Sequence, residues 1–145
     1  MYTDTITVFN KRKTESGDMW YPCVISGVDL SVDRAANQEK TGLENADTAN
    51  LHIRYRIMEG KIMIGEWQYY QPKAWEALPD VTDTVTFVDG VSFFIRGEYD
   101  ETPILDDDIR GGLLDYLNRI MDDCYKITSV GGPYKLIPHF EIGGK

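Results

Sequence analysis

Four residues of this 145-residue chain could supply a nucleophile or a general base: Cys23, Cys124, His52 and His139. A catalytic pair needs a nucleophile beside a base, and a third group that orients the base. No local signature of a cysteine enzyme surrounds either cysteine, and both adjoin apolar or aromatic residues, which favours two buried thiols. Each histidine is interpreted as a strand residue at a surface or an interface. We therefore expect no enzymatic activity, no metal and no cofactor.

An acidic stretch near residue 100 offers oxygen ligands for a hard cation. It contains Asp100, Glu101 and three consecutive aspartates at 106–108. Calcium loops place their ligands at alternate positions around a glycine turn, and this stretch lacks that spacing. Because an apolar repeat with helical spacing follows, the three aspartates are better explained as the cap and first turn of a helix.

Two further segments could contact a ligand. The aromatic segment from Trp67 to Trp75 could line a pocket or close one end of a core, and the second interpretation is favoured. The sequence Gly131-Gly132-Pro133 is not followed by GK[ST] and precedes a strand, which excludes a phosphate-binding loop.

The composition is that of a soluble globular domain. Hydrophobic residues make up 42% of the chain, and its net charge is -9. A protein that grips nucleic acid needs clustered Lys and Arg, so the acidic charge argues against that class. No apolar run reaches membrane-spanning length, and the N-terminus does not resemble a secretory signal. We expect synthesis in a cytoplasm.

Alternating hydrophobicity predicts about eight strands in a single domain, residues 1–145. Pro22 indicates an edge position, Ser26-Gly27 a bend, and Asp89-Gly90 a hairpin turn. The clearest strand spans residues 51–57. Its core face is predicted to carry Leu51, Ile53, Tyr55 and Ile57, and its outer face His52, Arg54 and Arg56.

Helical spacing predicts one substantial helix, at about 107–122, with an acidic first turn. Gly111 and Gly112 would lie inside it and weaken it by about 1 kcal/mol each relative to alanine. The predicted fold is mainly β, a small barrel or sandwich with one late helix.

A long polar segment, residues 31–50, lies between two predicted strands, and we call it the arm. Connections of this length are usually functional or disordered. Its composition cannot bury much apolar surface, so we expect it to act on a partner. The residues expected to act there are Asp33, Arg34, Asn37, Glu39, Lys40, Glu44 and Asp47.

Three segments resemble the head-completion proteins of tailed bacteriophages, also called minor capsid, stopper or head–tail connector proteins. They are TITVFNKRKTESGDMWYPCVISGVDL (5–30), DTVTFVDGVSFFIRGEYDE (83–101) and YKITSVGGPYKLIPHFEIGGK (125–145). The resemblance implies a small β-barrel that forms a dodecameric ring in the virion neck. It also implies that the arm projects into the DNA channel and helps to close it after packaging.

The resemblance further implies the partners: other copies of the chain, the portal or adaptor ring, a tail terminator or tail-completion protein, and transient contact with packaged DNA. Two alternatives stay open, namely a tail-terminator or tail-completion ring protein and a β-barrel module that binds a small ligand. The C-terminal strand is predicted to be an uncovered edge that pairs with a neighbour. The expected interface residues are Pro133, Tyr134, His139, Phe140 and Ile142.

Overall fold

Six antiparallel strands close into a β-barrel, and a small second sheet and two short helices pack around it. The structure is a computed structural model that describes residues 1–34 and 47–145. In chain order its elements are β1 (Asp4–Thr14), β2 (Gly17–Asp33), β3 (Thr48–Arg54), β4 (Arg56–Met58), β5 (Lys61–Ile64), β6 (Trp67–Tyr69), α1 (Pro72–Glu76), β7 (Thr84–Val85), β8 (Phe93–Arg96), β9 (Ile104–Leu105), a 3-10 turn (Asp106–Asp108), α2 (Leu113–Ile120), β10 (Cys124–Tyr134) and β11 (His139–Gly144).

The barrel runs β1-β8-β10-β11-β3-β2 and returns to β1. Closure depends on β2, which pairs with β1 as far as Val28 and with β3 from Asp29 onward. Gly27, with φ of +72°, lets the strand bend between its two partners. The predicted bend at Ser26-Gly27 is thus confirmed, as is the mainly β fold class.

The open edge predicted at Pro22 is also confirmed. Pro22 faces Phe9 of β1, and neither β9 nor β3 covers its other side among the described residues. A proline is tolerated there because it has no N–H to donate to a further strand.

Apolar side chains from all six strands fill the barrel interior. At one end, the Tyr69 ring packs against Phe140 with ring centroids 4.7 Å apart, and Phe87 packs against the same ring at 5.3 Å. Tyr69 belongs to the second sheet, β4-β5-β6-β7, which covers this end. Trp75 of α1 is buried, and its Nε1–H donates to Thr84 Oγ1 at 3.0 Å. The aromatic segment therefore closes the core, as predicted.

Helix α2 packs on the outside of the barrel. Its Leu113 and Leu117 are fully buried against Phe93 and Ile95, in a cluster separate from the barrel interior. Full burial of each leucine stabilises the fold by about 1.5–3 kcal/mol. The late helix is therefore present, and it depends on this contact with β8.

The helix is shorter than the predicted span of 107–122. Gly111 and Gly112 have φ of +84° and +92°, a backbone that cannot continue a right-handed helix. They precede the helix instead of weakening its interior. Asp106 still supports the start, because its Oδ1 accepts from the Leu113 N–H at 2.9 Å and from Trp20 Nε1–H at 2.7 Å.

The predicted faces of β3 are confirmed over residues 51–55 and wrong at Ile57. Leu51, Ile53 and Tyr55 are buried, whereas Ile57 is 58% exposed. β3 ends at Arg54, and the chain then enters the second sheet. The alternation of side chains beyond Arg54 therefore no longer tells which ones face the barrel interior.

Two predicted pairings are wrong. β11 is not an uncovered edge, because β10 pairs with one side of it and β3 with the other. The turn at Asp89-Gly90 exists but does not join a hairpin. β7 pairs in parallel with β6, while β8 pairs with β1 and β10. The missed partners, β3 for β11 and β1 for β8, are distant in the chain, so a local pattern carries no information about them.

Candidate functional site

The two ends of the arm leave the barrel as a paired ladder. Ser31, Val32 and Asp33 pair with Asn50, Ala49 and Thr48, so the outer parts of the segment predicted as a loop belong to β2 and β3. Of the residues expected to act in a channel, Asp33, Arg34 and Asp47 lie in the described part of the chain. Asn37, Glu39, Lys40 and Glu44 lie outside the described residues.

A cluster of charged side chains, which we call the arm base, holds these two ends against the barrel. The Arg34 guanidinium contacts Asp47 at 3.4 Å and Asp123 at 2.8 Å. Arg96 of β8 contacts the other oxygen of Asp123 at 2.9 Å and reaches Asp4 of β1 at 3.2 Å. The arm is thereby tied to the short segment between α2 and β10 and to two barrel strands.

Asp123 is the centre of the arm base. Its side chain is 11% exposed, and its Oδ1 also accepts a hydrogen bond from the Tyr125 hydroxyl at 2.6 Å. Burial raises the pKa of this carboxyl, but the hydrogen bonds from Tyr125, Arg96 and Arg34 together hold it below its ordinary value. Burial, followed by the hydrogen bond to Asp123, raises the pKa of Tyr125. Asp123 is thus held as a carboxylate between two arginines.

The predicted C-terminal interface is only partly accessible. Phe140 and Ile142 are buried in the barrel core, so their assignment as interface residues is wrong. Pro133 and His139 are partly buried, and Tyr134 is exposed. Alternation along a single predicted strand placed Phe140 and Ile142 on an open face, whereas closure of the barrel turns that face inward.

Sequence reasoning missed the most exposed apolar residues of this region. Leu136 is 97% exposed and Ile137 is 70% exposed, in the turn that joins β10 to β11. Pro138, directly after them, was a signal for this turn, because a proline interrupts a strand. Alternating hydrophobicity instead predicts one continuous strand over residues 134–142.

A second exposed apolar pair lies close to this turn. Tyr55 N–H donates to the Pro138 carbonyl at 3.3 Å, so the start of β4 lies beside the β10–β11 turn. Ile57 and Met58, two and three residues further on, are both exposed. We call these four side chains the apolar tips: Ile57, Met58, Leu136 and Ile137. Exposed apolar clusters of this kind commonly mark protein–protein contacts.

The two histidines, placed separately by the sequence, come together on the outside of the barrel. Their ring centroids lie 5.7 Å apart, and His139 Nε2 lies 2.8 Å from Glu141 Oε2. Hydrogen bonding to the Ile137 carbonyl, and then to Glu141, raises the pKa of His139, and the contact with His139 lowers the pKa of Glu141. These three side chains could hold a metal ion. The signal available in the sequence was that His139 and Glu141, two residues apart, share a strand face.

The cysteines are buried, as predicted. Burial raises the pKa of Cys23, and it raises that of Cys124 to about 12. Both thiols therefore stay protonated at neutral pH, and a protonated thiol is a poor nucleophile.

A cleft of about 880 Å³ lies along the open edge of β2. Two side chains occupy the free backbone groups of Val24 there: its N–H donates to Glu101 Oε2 at 3.0 Å, and its carbonyl accepts from Trp67 Nε1–H at 2.8 Å. Glu66, Glu101 and other carboxylates line the cleft. An acidic, open cleft is unlike the enclosed apolar pockets that take small organic ligands.

The comparisons with known proteins give a family and no relative of known function. Within residues 1–34 and 47–145, no helix is both long and apolar enough to cross a membrane. Neither the curated proteins nor the solved structures contain a significant match to this chain. A family model described as a family of unknown function (DUF6751) matches residues 1–145, and the chain belongs to that family.

Proposed function

We propose that this protein is a structural component of a bacteriophage neck. It would form a ring between the portal or adaptor and the tail, close the DNA channel after packaging and provide a surface for tail attachment. The resemblance of three segments to head-completion proteins motivates the proposal. The closed six-stranded barrel is compatible with it, because small barrels are the fold that this resemblance implies.

The observation that carries the proposal is the arm base. A segment that closes a channel must be presented from a rigid support, because a loosely attached segment would be displaced by DNA under pressure. Asp123 joins Arg34 at the arm to Arg96 in the barrel wall, through contacts of 2.8 Å and 2.9 Å. Charge-assisted hydrogen bonds of this length are among the stronger polar contacts in proteins.

The charge of the arm fits contact with passing DNA better than a grip on it. The arm has four acidic residues and two cations, Arg34 and Lys40, so its net charge is -2. A weakly acidic lining repels phosphates, so DNA would pass without being held.

The apolar tips supply a candidate contact with other copies or with neighbouring rings. Leu136 and Ile137 are 97% and 70% exposed, and Tyr55, just before β4, donates to the backbone of their turn. In a ring each tip would meet a surface of the next subunit or of the portal. The high net charge, -9, opposes association in solution, so we expect the ring to need a template.

The first experiment measures assembly. The full chain is mixed with purified portal complexes of its phage, and rings are counted by electron microscopy and sedimentation. The variant Leu136→Ser with Ile137→Ser should abolish rings, while Ile120→Ser, the same kind of change at one residue that is 54% exposed on α2, should not. Equal ring formation by both variants would remove the tips from the interface. Binding to tail tubes and not to portal complexes would favour the tail-terminator alternative.

The second experiment addresses the arm. Residues 35–46 are replaced by a short Gly-Ser bridge, and Arg34 and Asp47 are kept so that the arm base is retained. We expect the barrel to fold with an unchanged melting temperature and the phage heads to package DNA but lose it. Heads that retain their DNA with this variant would contradict the closing role and leave a plain spacer ring.

A further inference from the structure

Three metal-ligating side chains share one outer face of the barrel. One ligand atom each of His52, His139 and Glu141 lies within 4.8 Å of the other two. The strand register explains the cluster, because Glu141 of β11 faces His52 of β3 directly, and His139 lies two residues from Glu141 on the same face. Two paired strands of a closed barrel therefore hold all three donors.

His139 is already oriented as a metal-binding histidine is. Its Nδ1 faces the Ile137 carbonyl, and its Nε2 faces Glu141 Oε2. With the proton on Nδ1 donated to the carbonyl, the lone pair of Nε2 points toward the carboxylate. Metal-ligating histidines commonly donate their second ring nitrogen to a backbone carbonyl in this way, which fixes the tautomer and the ring plane. In this tautomer Nε2 and Glu141 Oε2 are two acceptors that face each other, and a cation between them would accept a lone pair from each.

The ring of His139 is also held from the side. The Tyr134 ring packs beside it with centroids 5.1 Å apart. Tyr134 can lie there because Gly131 has no side chain: a Cβ at that position would lie 2.5 Å from the Tyr134 hydroxyl oxygen. Gly131, which faces Glu141 in the β10–β11 ladder, thus leaves the space that lets Tyr134 pack beside the His139 ring.

We propose that His52, His139 and Glu141 bind a first-row divalent transition metal, with Zn²⁺ as the reference ion. Two imidazoles and one carboxylate form a known zinc ligand set that leaves the fourth position to water. Tetrahedral zinc with bonds of about 2.1 Å separates its ligand atoms by about 3.4 Å, so modest side-chain rotations complete the site. Glu141 is exposed and His52 is half-buried, and both can rotate without disturbing the core.

The surroundings leave room for an ion and, among the described residues, place no cationic side chain in the cluster. A cleft of about 270 Å³, lined by His52, Tyr134 and Glu141, lies beside the cluster. Arg54 faces His139 in the ladder but stacks on the Tyr2 ring at 4.1 Å. Asp29 faces His52 from β2. The Asp29 carboxylate also contacts the N-terminal ammonium at 3.3 Å, so Glu141 is the carboxylate that a cation at the cluster would meet directly.

The composition makes the test unusually direct. The chain has only two histidines, and both lie in this cluster. Its two cysteines are buried and protonated, so they cannot supply zinc ligands without unfolding. Zinc binding that depends on histidine can thus have only this origin.

The test is calorimetric titration of ZnCl₂ into the full metal-free chain in a non-chelating buffer, with His52→Ala, His139→Gln and Glu141→Gln as variants. The unchanged chain should bind one equivalent, and loss of either histidine should weaken binding by about 100-fold or more, since even outer-shell changes cost about 10–100-fold. Glu15→Gln, an exposed carboxylate in the β1–β2 turn, serves as the control and should bind as the unchanged chain does.

NMR of the unchanged chain provides a second measurement that does not depend on a variant being able to fold. Added Co²⁺ should shift the proton signals of both imidazoles in the NMR spectrum of the unchanged chain, with no need for any substitution. The proposal is overturned if neither imidazole responds, or if both histidine variants fold and bind Zn²⁺ as tightly as the Glu15→Gln control. This site stands independently of the neck assignment.

Discussion

Asp123→Asn tests the arm base most directly. The substitution keeps the size of the side chain and an oxygen that can accept from the Tyr125 hydroxyl. It removes the negative charge that Arg34 contacts through one carboxylate oxygen and Arg96 through the other. One of the two new amide hydrogens then faces an arginine, where no acceptor is available. The change therefore removes attraction and adds a local mismatch, while the apolar core stays intact.

The expected cost follows from the burial of Asp123. A hydrogen bond to a charged group contributes about 1.5–3 kcal/mol. Two such contacts would lie at the upper end if they were fully buried, but solvent screens both arginines, whose side chains are 52% and 40% exposed. We therefore expect a loss of about 2 kcal/mol in the free energy of unfolding. For a domain of this length that corresponds to a fall of about 6 °C in the melting temperature.

The pH dependence gives an independent signature. The pKa of Asp123 is lower in the folded chain than its ordinary value of 3.8. A depressed folded-state pKa contributes stability that is fully present above the unfolded value and is lost as the pH falls through the folded one. The unchanged chain should thus lose stability below about pH 4 more steeply than Asp123→Asn, which has no carboxyl to protonate there.

Thermal unfolding followed by circular dichroism, at pH 7 and from pH 5 to pH 2, measures both effects. Asp122→Asn is the matched control, because the adjacent aspartate is exposed. The arm base does not hold the arm if Asp123→Asn is destabilised no more than Asp122→Asn at pH 7 and its melting temperature falls between pH 5 and pH 2 as steeply as that of the unchanged chain. The proposal that the arm is presented from a rigid support would then lose its main observation.

Three further predictions concern the barrel and α2. Asp106→Ala should destabilise the chain by about 1–2 kcal/mol in urea unfolding, because Trp20 Nε1–H and the first N–H of α2 both lose their acceptor; a cost equal to that of Asp107→Ala would contradict this role. Phe140→Ala should cost about 3–5 kcal/mol in the same assay, as expected for a fully buried aromatic ring, and a cost below 1 kcal/mol would contradict its place in the core. Cys23 and Cys124 should react with a thiol reagent only at the rate of unfolding, and fast labelling of the native chain would refute their burial.

Residue patterns predicted the faces of the strands well. Leu51, Ile53 and Tyr55 are buried as alternation requires, because a period of two fixes which side chains share a face. The pattern failed at Ile57 for a physical reason. The alternation of apolar and polar residues continues past the end of β3, but Ile57 belongs to β4 of the second sheet. Nothing in the local sequence marks that change.

The arm base could not be predicted from the sequence. Arg34 and Asp123 are 89 residues apart, and each appears in the sequence as one more charged residue in a polar segment. Asp123 directly follows the predicted helix, at the end where the helix dipole disfavours an acid. Two arginines of the same chain, brought there by barrel closure, compensate its charge.

The failure at the C-terminal strand and the failure to find the histidine cluster have one cause. The predicted interface combined His139 with Phe140 and Ile142, although alternation puts Phe140 on one face of β11 and His139 with Glu141 on the other, as the structure does. What alternation cannot give is the neighbour of a strand. Because β3 lies beside β11, the apolar face is sealed inside the barrel and cannot bind another subunit. The same pairing puts His52 opposite Glu141, so it creates the polar cluster on the outer face. The strand expected to bind a partner through its apolar side is therefore available to a ligand only through its polar side.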